Sequence, residues 1–348
     1  MTLIDRLSLD VPIVQAPMAG VSTPAMAAAV SNAGALGSIA VGAADPAGAD
    51  ATISELEGLT DRPFNVNLFV HAAPVPDAEV EAGWLNALAP TFRAFGAEPP
   101  PALRTIYQSF NDDDAMLRVL VEHAPQVVSF HFGLPDEARV RALKAAGCLL
   151  IASATSPEEA RLCVESGMDA VVAQGYEAGG HRGVFDPDAD DAQLGTLALT
   201  RLLVRQLDVP VIAAGGIMDG QGVRAALDLG AAAAQLGTAF IACPESAADA
   251  AYRTVLTSDA ARHTTITRAI SGRPARCLRN RFTELGETLD ASVPAYPIAY
   301  DGGKALNAAA KAAGETGFGA QWAGQGAPLA RGIPAAELVA VLAREMAI

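Results

Sequence analysis

Short apolar runs alternate with segments of helical period from the N-terminus to about Phe240. Runs of this length predict parallel strands buried on both faces, and the segments between them predict connecting helices. Eight strands are expected, the number that closes a TIM (β/α)8 barrel. They are Val11–Pro17, Leu36–Val41, Phe64–Val70, Val127–Phe132, Cys148–Ala152, Ala170–Gln174, Val209–Ala214 and Ala231–Leu236.

Capping residues mark several of the connecting helices. Thr23-Pro24 predicts an N-cap followed by proline at the first helical position. The segment Ser156-Pro157-Glu158-Glu159 predicts a capping box, and a further helix is expected to begin near Asp219. Glycines at positions 34, 167 and 230 predict the ends of three helices.

The alternation stops after Phe240, where short polar and Pro/Tyr-rich stretches replace it. We expect a barrel over residues 1–244, a smaller substrate-capping domain over 245–303, inserted after strand 8, and C-terminal helices over 304–348 that pack back on the barrel. The Pro- and Ala-rich segment Pro74–Pro101 is too long for a simple connection and predicts a lid over the barrel mouth.

Composition narrows the class of protein. Hydrophobic residues make up 51% of the 348 residues and charged residues 18%, which suits a large core. A net charge of -15 argues against nucleic-acid and anionic-membrane partners. The four cysteines have no metal-ligand spacing, so we expect them to be reduced and to bind no metal. No export signal is recognisable, so a cytoplasmic protein is expected. We also expect a monomer or homodimer.

The most reactive-looking segment follows the sixth predicted strand. Gln174–Gly183 holds four glycines in ten residues together with His181. Glycines allow the backbone to approach a ligand closely, and a histidine can donate, accept or transfer a proton. Active sites of (β/α)8 barrels lie at the carboxyl ends of the strands, where this loop begins.

Two later strand ends predict a phosphate site. Gly216 and Gly237 offer backbone N–H groups, Thr238 adds a hydroxyl, and the helix near Asp219 offers the positive end of its dipole. A sugar phosphate, pyridoxal phosphate or FMN would each suit such a site. Asn67 and Gln174 could read the pyrimidine edge of a flavin or could cap neighbouring strand ends, and His131 could be a core histidine.

Several motifs together resemble the nitronate monooxygenases, formerly 2-nitropropane dioxygenases, of the class I type. The resemblance covers nearly the whole chain. The Glu-Ala-Gly-Gly-His loop is also shared with flavin-dependent enoyl-acyl-carrier-protein reductases. The motifs are Gln15–Gly20, Asn65–Phe69, Ser129–Gly133, Gln174–Gly183, Ala214–Ile217, Gln235–Thr238 and Ser271–Arg276.

The resemblance implies an FMN enzyme that oxidises small anionic nitronates, such as propionate 3-nitronate, with O₂ in a detoxifying role. His181 would be the catalytic residue, holding the nitro oxygens or removing a proton from a neutral nitroalkane. The residues implied to hold FMN are Met18, Asn67, Gln174, Gly179, Gly216, Gln235, Leu236, Gly237 and Thr238. The residues implied to bind substrate are Tyr107, His131, Tyr252, Tyr296, Tyr300 and Lys304.

Other interpretations stay open from the sequence. The tyrosines could pack a loop or lie on an exposed helix, Lys304 could be solvated, and Arg273 and Arg276 are expected to be structural salt-bridge partners rather than anion ligands. An FMN-dependent NAD(P)H reductase of quinones or enoyl thioesters could use the same barrel. A lyase or isomerase of a sugar phosphate would be colourless.

Overall fold

The computed structural model describes residues 2–347, and eight of its strands form one parallel sheet. Their order is β1-β9-β8-β6-β5-β4-β3-β2, and a bridge between Val14 and Leu36 joins the first strand to the last. The sheet therefore closes, and the predicted (β/α)8 barrel is confirmed. The barrel strands are β1 Ile13–Gln15, β2 Gly37–Ala40, β3 Phe64–Phe69, β4 Val127–His131, β5 Leu149–Ala154, β6 Ala170–Gln174, β8 Val211–Ala214 and β9 Ala233–Leu236.

A second sheet of three antiparallel strands lies beside the carboxyl ends of the barrel. Its central strand, Ala275–Leu278 (β11), pairs with Thr264–Thr267 (β10) on one side and with Gly180–His181 (β7) on the other. The reactive loop is thus tied to a segment more than ninety residues later in the chain.

The helices surround the barrel, and two of the later ones join an earlier one in a separate apolar cluster. The α-helices are α1 Leu3–Arg6, α2 Pro24–Asn32, α3 Pro46–Glu57, α4 Ala78–Ala94, α5 Asp114–His123, α6 Glu137–Ala145, α7 Pro157–Glu165, α8 Thr196–Gln206, α9 Gly220–Asp228, α10 Thr238–Ile241, α11 Ala250–Leu256, α12 Arg281–Thr288, α13 Ile298–Ala312 and α14 Ala335–Met346. Short 3₁₀ turns occupy Phe110–Asp112, Asp259–Arg262 and Ala327–Leu329.

The caps agree with the sequence in all but one respect. The Thr23 side chain accepts from the Met26 amide, and Ser156 accepts from the Glu159 amide. The reciprocal half of the predicted capping box is absent among the described residues, because the Glu159 carboxylate accepts from Thr155 and Phe185 instead. This carboxylate links the end of β5 to the loop after the histidine segment.

Packing closes one end of the barrel and leaves the other open. Leu3 and Leu7 of the N-terminal segment belong to one apolar cluster with the first residues of three barrel strands, Val127, Leu149 and Ala170. The segment expected to form a lid contains a helix, but it does not cover the barrel mouth. Its helix α4 packs against α13 through Trp84 and Leu88, and none of its residues lines the cavity at the open end.

The C-terminal part of the chain packs in two places. Helix α13 joins the cluster that contains α4, whereas α14 packs on the barrel helices α2 and α9. The division into a barrel, a capping domain and a C-terminal segment stays a prediction.

Candidate active site

A cavity of about 620 Å³ opens at the carboxyl ends of the barrel strands. Its floor is formed by strand ends and the loops that follow them, and its outer wall by α13 and the segment around Trp322. This volume lies in the range of cavities that hold a cofactor together with a small substrate. The cavity therefore occupies the position where enzymes of this architecture carry their active sites.

The floor includes an anion site, here called the phosphate cradle, formed by Gly216, Gly237 and Thr238. Among residues 2–347, no acceptor pairs with the amides of Gly216 and Gly237. The Thr238 hydroxyl accepts from the Gly324 amide at 3.0 Å, which leaves its own hydrogen free to donate. Three donors thus face the cavity without competition from a protein carboxylate.

The expected contribution of the helix near Asp219 is wrong. Helix α9 begins at Gly220, whose amide donates to the Glu345 carboxylate at 2.9 Å, and Asp219 accepts from the Gly222 amide at 2.8 Å. The positive end of this helix is therefore already neutralised by protein carboxylates, and the cradle depends on loop amides alone.

Two side-chain amides beside the cradle are free to bind a ligand. Asn67 donates to the Ser129 hydroxyl at 2.9 Å, and its carbonyl oxygen has no partner within the described chain. The Gln235 side chain lines the cavity and pairs with none of residues 2–347. Gln174 differs, because its amide donates to the His181 carbonyl at 3.0 Å and accepts from the Gly183 amide at 2.7 Å. It fixes the loop whether or not it also meets a ligand.

A buried ion pair holds the histidine loop in place. Arg182 is 1% exposed, and its Nε and Nη2 donate to the Asp191 carboxylate at 2.8 and 3.0 Å. Its Nη1 donates to the carbonyls of Gln174 and Gly175. Pairing of Gly180–His181 with β11 fixes the loop from the other side. The loop is consequently rigid at His181 despite its glycines.

His181 projects into a mostly aromatic environment. Its ring lies 5.1 Å from that of Trp322 and 5.5 Å from that of Tyr296, centroid to centroid, and its Nε2 is 2.8 Å from the Ser271 hydroxyl. Burial lowers the pKa of His181 to about 3, and the nearby His131 and Arg273 act in the same direction. The imidazole is therefore neutral at pH 7 and is a weak base.

His131 supports this loop. Its Nε2 lies 3.3 Å from the His181 carbonyl, so the neutral ring can donate to it. Burial lowers the pKa of His131 to about 4. The adjacent Phe132 has a positive φ of 76°, a strained conformation for a bulky residue, and the Arg273 guanidinium covers its ring at 4.4 Å.

The outer wall is aromatic and carries one unpaired cation. We call Tyr107, Tyr252, Tyr296, Tyr300 and Trp322 the aromatic wall. Lys304 places its ammonium 4.9 Å from the Tyr107 ring and 5.3 Å from the Tyr300 ring, and it forms no ion pair within residues 2–347. Burial lowers the pKa of Lys304, although nearby Asp301 opposes the shift. Lys304 is exposed at the cavity, and a cation held over two rings suits a small anion.

The structure brings together every site residue predicted from the sequence except Leu236. The Leu236 side chain is 1% exposed and packs in the core between β9 and the outer helices. The roles of all these residues stay predictions. Sequence reasoning missed four residues of the site or its support, Ser271, Phe132, Asn307 and Lys311. Two of them lie in the motifs Ser271–Arg276 and Ser129–Gly133, which were the only signal for them.

Arg273 and Arg276 are structural, but they form no salt bridge with any described residue. Arg273 donates to the Val184 carbonyl and stacks on Phe132. Arg276 donates to the Tyr176 carbonyl at 2.8 Å and stacks on the Tyr176 ring. The expectation of salt-bridge partners is wrong, because both guanidinium groups are buried against carbonyls and rings instead.

Comparison with known proteins assigns this arrangement to a family. The family model described as "Nitronate monooxygenase" matches residues 1–345. The chain belongs to the nitronate monooxygenase family. The nitronate monooxygenase of Paraburkholderia phytofirmans is 61% identical over 99% of this chain and 94% of its own length, and that of Pseudomonas aeruginosa is 55% identical over 98% and 97%.

Solved structures agree with the fold. A nitroalkane oxidase from Streptomyces ansochromogenes is 43% identical, with a TM-score of 0.91 over 99% of this chain and 97% of its own. FabK from Thermotoga maritima is 30% identical, with a TM-score of 0.74 over 100% and 96%. None of the helices between residues 2 and 347 has the length and apolar character needed to cross a membrane.

Proposed function

We propose that this member of the nitronate monooxygenase family oxidises alkyl nitronates, such as propionate 3-nitronate, with O₂ to carbonyl compounds and nitrite or nitrate, using FMN as its flavin. The observation that carries the proposal is a single cavity with two features. On one side lies a phosphate cradle whose amides pair with no described residue, and on the other lies an unpaired lysine on an aromatic wall. The family and the named relatives support the same reaction.

The residues present fit FMN. The amides of Gly216 and Gly237 with the Thr238 hydroxyl would hold its phosphate, and the Asn67 oxygen and Gln235 amide would meet the polar edge of its ring. A Cβ on Gly237 would lie 3.4 Å from the Ala16 Cβ and 3.6 Å from the Met18 sulfur, so the space over this amide is open to a ligand. When bound, FMN supplies the redox chemistry.

The chain's own side chains would bind and orient the nitronate. Lys304 offers a charge-assisted hydrogen bond, and His181, kept neutral by burial, can donate a hydrogen bond from one ring nitrogen. The aromatic wall shields one side of the bound anion from water, which strengthens the hydrogen bond from the buried His181. A base role for His181 towards neutral nitroalkanes is weakened by its low pKa.

The visible spectrum of the purified protein tests this proposal. We expect a flavin spectrum, release of FMN rather than FAD on acid precipitation, and bleaching when propionate 3-nitronate is added without O₂. A colourless protein would contradict the proposal. The cytoplasmic location, the detoxifying role and a monomeric or homodimeric state stay predictions.

The similarity to FabK favours one second candidate, an FMN-dependent NAD(P)H reductase of quinones or enoyl thioesters. The same anaerobic experiment separates the two functions. Bleaching by NADH or NADPH but not by the nitronate would favour the reductase.

A further inference from the structure

The cavity is cationic in a strongly acidic protein. The chain has a net charge of -15 and only three lysines, Lys144, Lys304 and Lys311. Two of these three line the cavity, and the only other fully charged side chain among its described lining residues is Asp249. An anionic substrate repelled by most of the surface would therefore find its positive charges along this one wall.

Both lysines lie on one face of α13. Lys304, Asn307 and Lys311 are spaced by three and four residues, so they follow one another along the helix and all line the cavity. Seven residues of helix separate the two ammonium-bearing positions by roughly 10.5 Å along the axis. Lys304 lies over Tyr300, a ring beside His181, and is the inner end of the row. Lys311 is 45% exposed at its side chain and pairs with Asp249, so it forms the outer end.

Lys311 pairs with Asp249 across the outer end of the cavity. Its ammonium lies 2.6 Å from Asp249 Oδ2, and the pair connects α13 to the start of α11. Asp249 Oδ1 separately accepts from the Tyr252 amide at 2.8 Å as the N-cap of α11. The two oxygens thus have different tasks, and only Oδ2 occupies Lys311.

We propose that Lys311 is an outer anion-binding position, for which Asp249 competes, and that it favours the entry of nitronates that carry a second anionic group such as a carboxylate. The inference rests on the proposed function. Because Lys311 stands at the outer end of the row, a carboxylated nitronate that enters the cavity meets Lys311 before Lys304. Asn307 lies between them, with its side-chain oxygen unpaired within residues 2–347. Lys311 therefore acts on capture and leaves the oxidation step unchanged.

Two substitutions with opposite expected effects test the proposal. Lys311→Gln should lower kcat/KM for propionate 3-nitronate by about two- to fivefold, as expected for a half-exposed charge, and leave kcat unchanged. Asp249→Asn should raise kcat/KM, because it frees Lys311 while asparagine keeps the N-cap on Tyr252. Both effects should be smaller with ethyl nitronate, which has no carboxylate, and should shrink as salt is raised.

Lys144→Gln is the matched control, because it removes the same charge from a surface site that pairs with Asp169 at 3.8 Å. It should change nothing. Equal losses in Lys311→Gln and Asp249→Asn would show that the pair is only a latch between α11 and α13 and would overturn the proposal, as would equal effects on both nitronates. If the unmodified protein oxidises neither nitronate, the proposed function itself fails.

Discussion

The phosphate cradle and the aromatic wall face each other across one cavity but are built in different ways. The cradle consists of backbone amides and one hydroxyl at the ends of two neighbouring strands, β8 and β9. The wall consists of side chains from segments spread between Tyr107 and Trp322. Backbone donors bind whatever phosphate fits, whereas side chains select a substrate. The two regions should therefore separate cofactor binding from substrate binding.

The largest effect is expected at the cradle. Gly237→Val should leave the protein without flavin and without activity, because the added side chain occupies the place of the phosphate. The protein itself tolerates a Cβ there at ordinary contact distances, so Gly237→Ala should fold normally and lose part of its flavin. The measurement is the ratio of flavin to protein absorbance after purification.

Gly83→Ala is a suitable control, because Gly83 lies within α4 and a Cβ there would meet nothing within 4 Å. It should keep full flavin content. A Gly237→Val protein with a normal flavin spectrum would remove the cradle from the cofactor site, and the contrast between the two regions would disappear.

This contrast also explains what could be predicted from the sequence. The barrel and cradle follow from local patterns, since an apolar strand followed by glycine places that glycine at a known end of the sheet. The support of His181 does not, because β7 has two residues and its partner β11 is far along the chain. The hydrogen bond from the first amide of α9 to the Glu345 carboxylate could not be predicted either, because its two residues are 125 positions apart.

His181 belongs to neither region, and its substitution tests whether it serves the cofactor or the substrate. His181→Asn should keep the flavin and lower kcat/KM by roughly ten- to a hundredfold, since a hydrogen bond to a charged group is worth about 1.5–3 kcal/mol. With its pKa at about 3, His181 is neutral throughout the range from pH 5 to 8. The pH profile of activity should therefore show no change in that range that depends on His181. We expect similar losses with a nitronate and with a neutral nitroalkane.

The exposed His263 gives a control substitution, His263→Asn, which should be silent. A loss of about 10²–10⁴-fold confined to the nitroalkane would instead assign proton abstraction to His181. Loss of flavin in His181→Asn would place the residue with the cradle.

Lys304 tests the wall through its charge. Lys304→Met should keep the flavin spectrum and raise the apparent KM for a nitronate by about tenfold or somewhat more. Burial lowers the pKa of Lys304, so the ammonium loses its proton at a lower pH than an ordinary lysine. Affinity should therefore fall as the pH rises through that lowered pKa, and this alkaline limb should be missing in Lys304→Met. An unchanged KM profile would place Lys304 outside the substrate pocket.

The smallest effect is expected from the Tyr300 hydroxyl, and it is the sharpest test of the wall. Burial raises the pKa of Tyr300, so the hydroxyl stays protonated. It donates to no acceptor within the described residues, so its hydrogen is free for a substrate. Tyr300→Phe keeps the ring beside Lys304 and His181, at 5.3 Å and 6.1 Å, and removes only that oxygen. A neutral hydrogen bond contributes about 0.5–1.5 kcal/mol, so KM should rise by roughly two- to tenfold with the flavin spectrum unchanged.

Tyr176→Phe is the control, because Tyr176 stacks on Arg182 and Arg276 outside the cavity, and it should leave KM unchanged. If Tyr300→Phe lowers flavin content instead of substrate affinity, the wall also holds the cofactor, and the division of labour between the two regions is wrong.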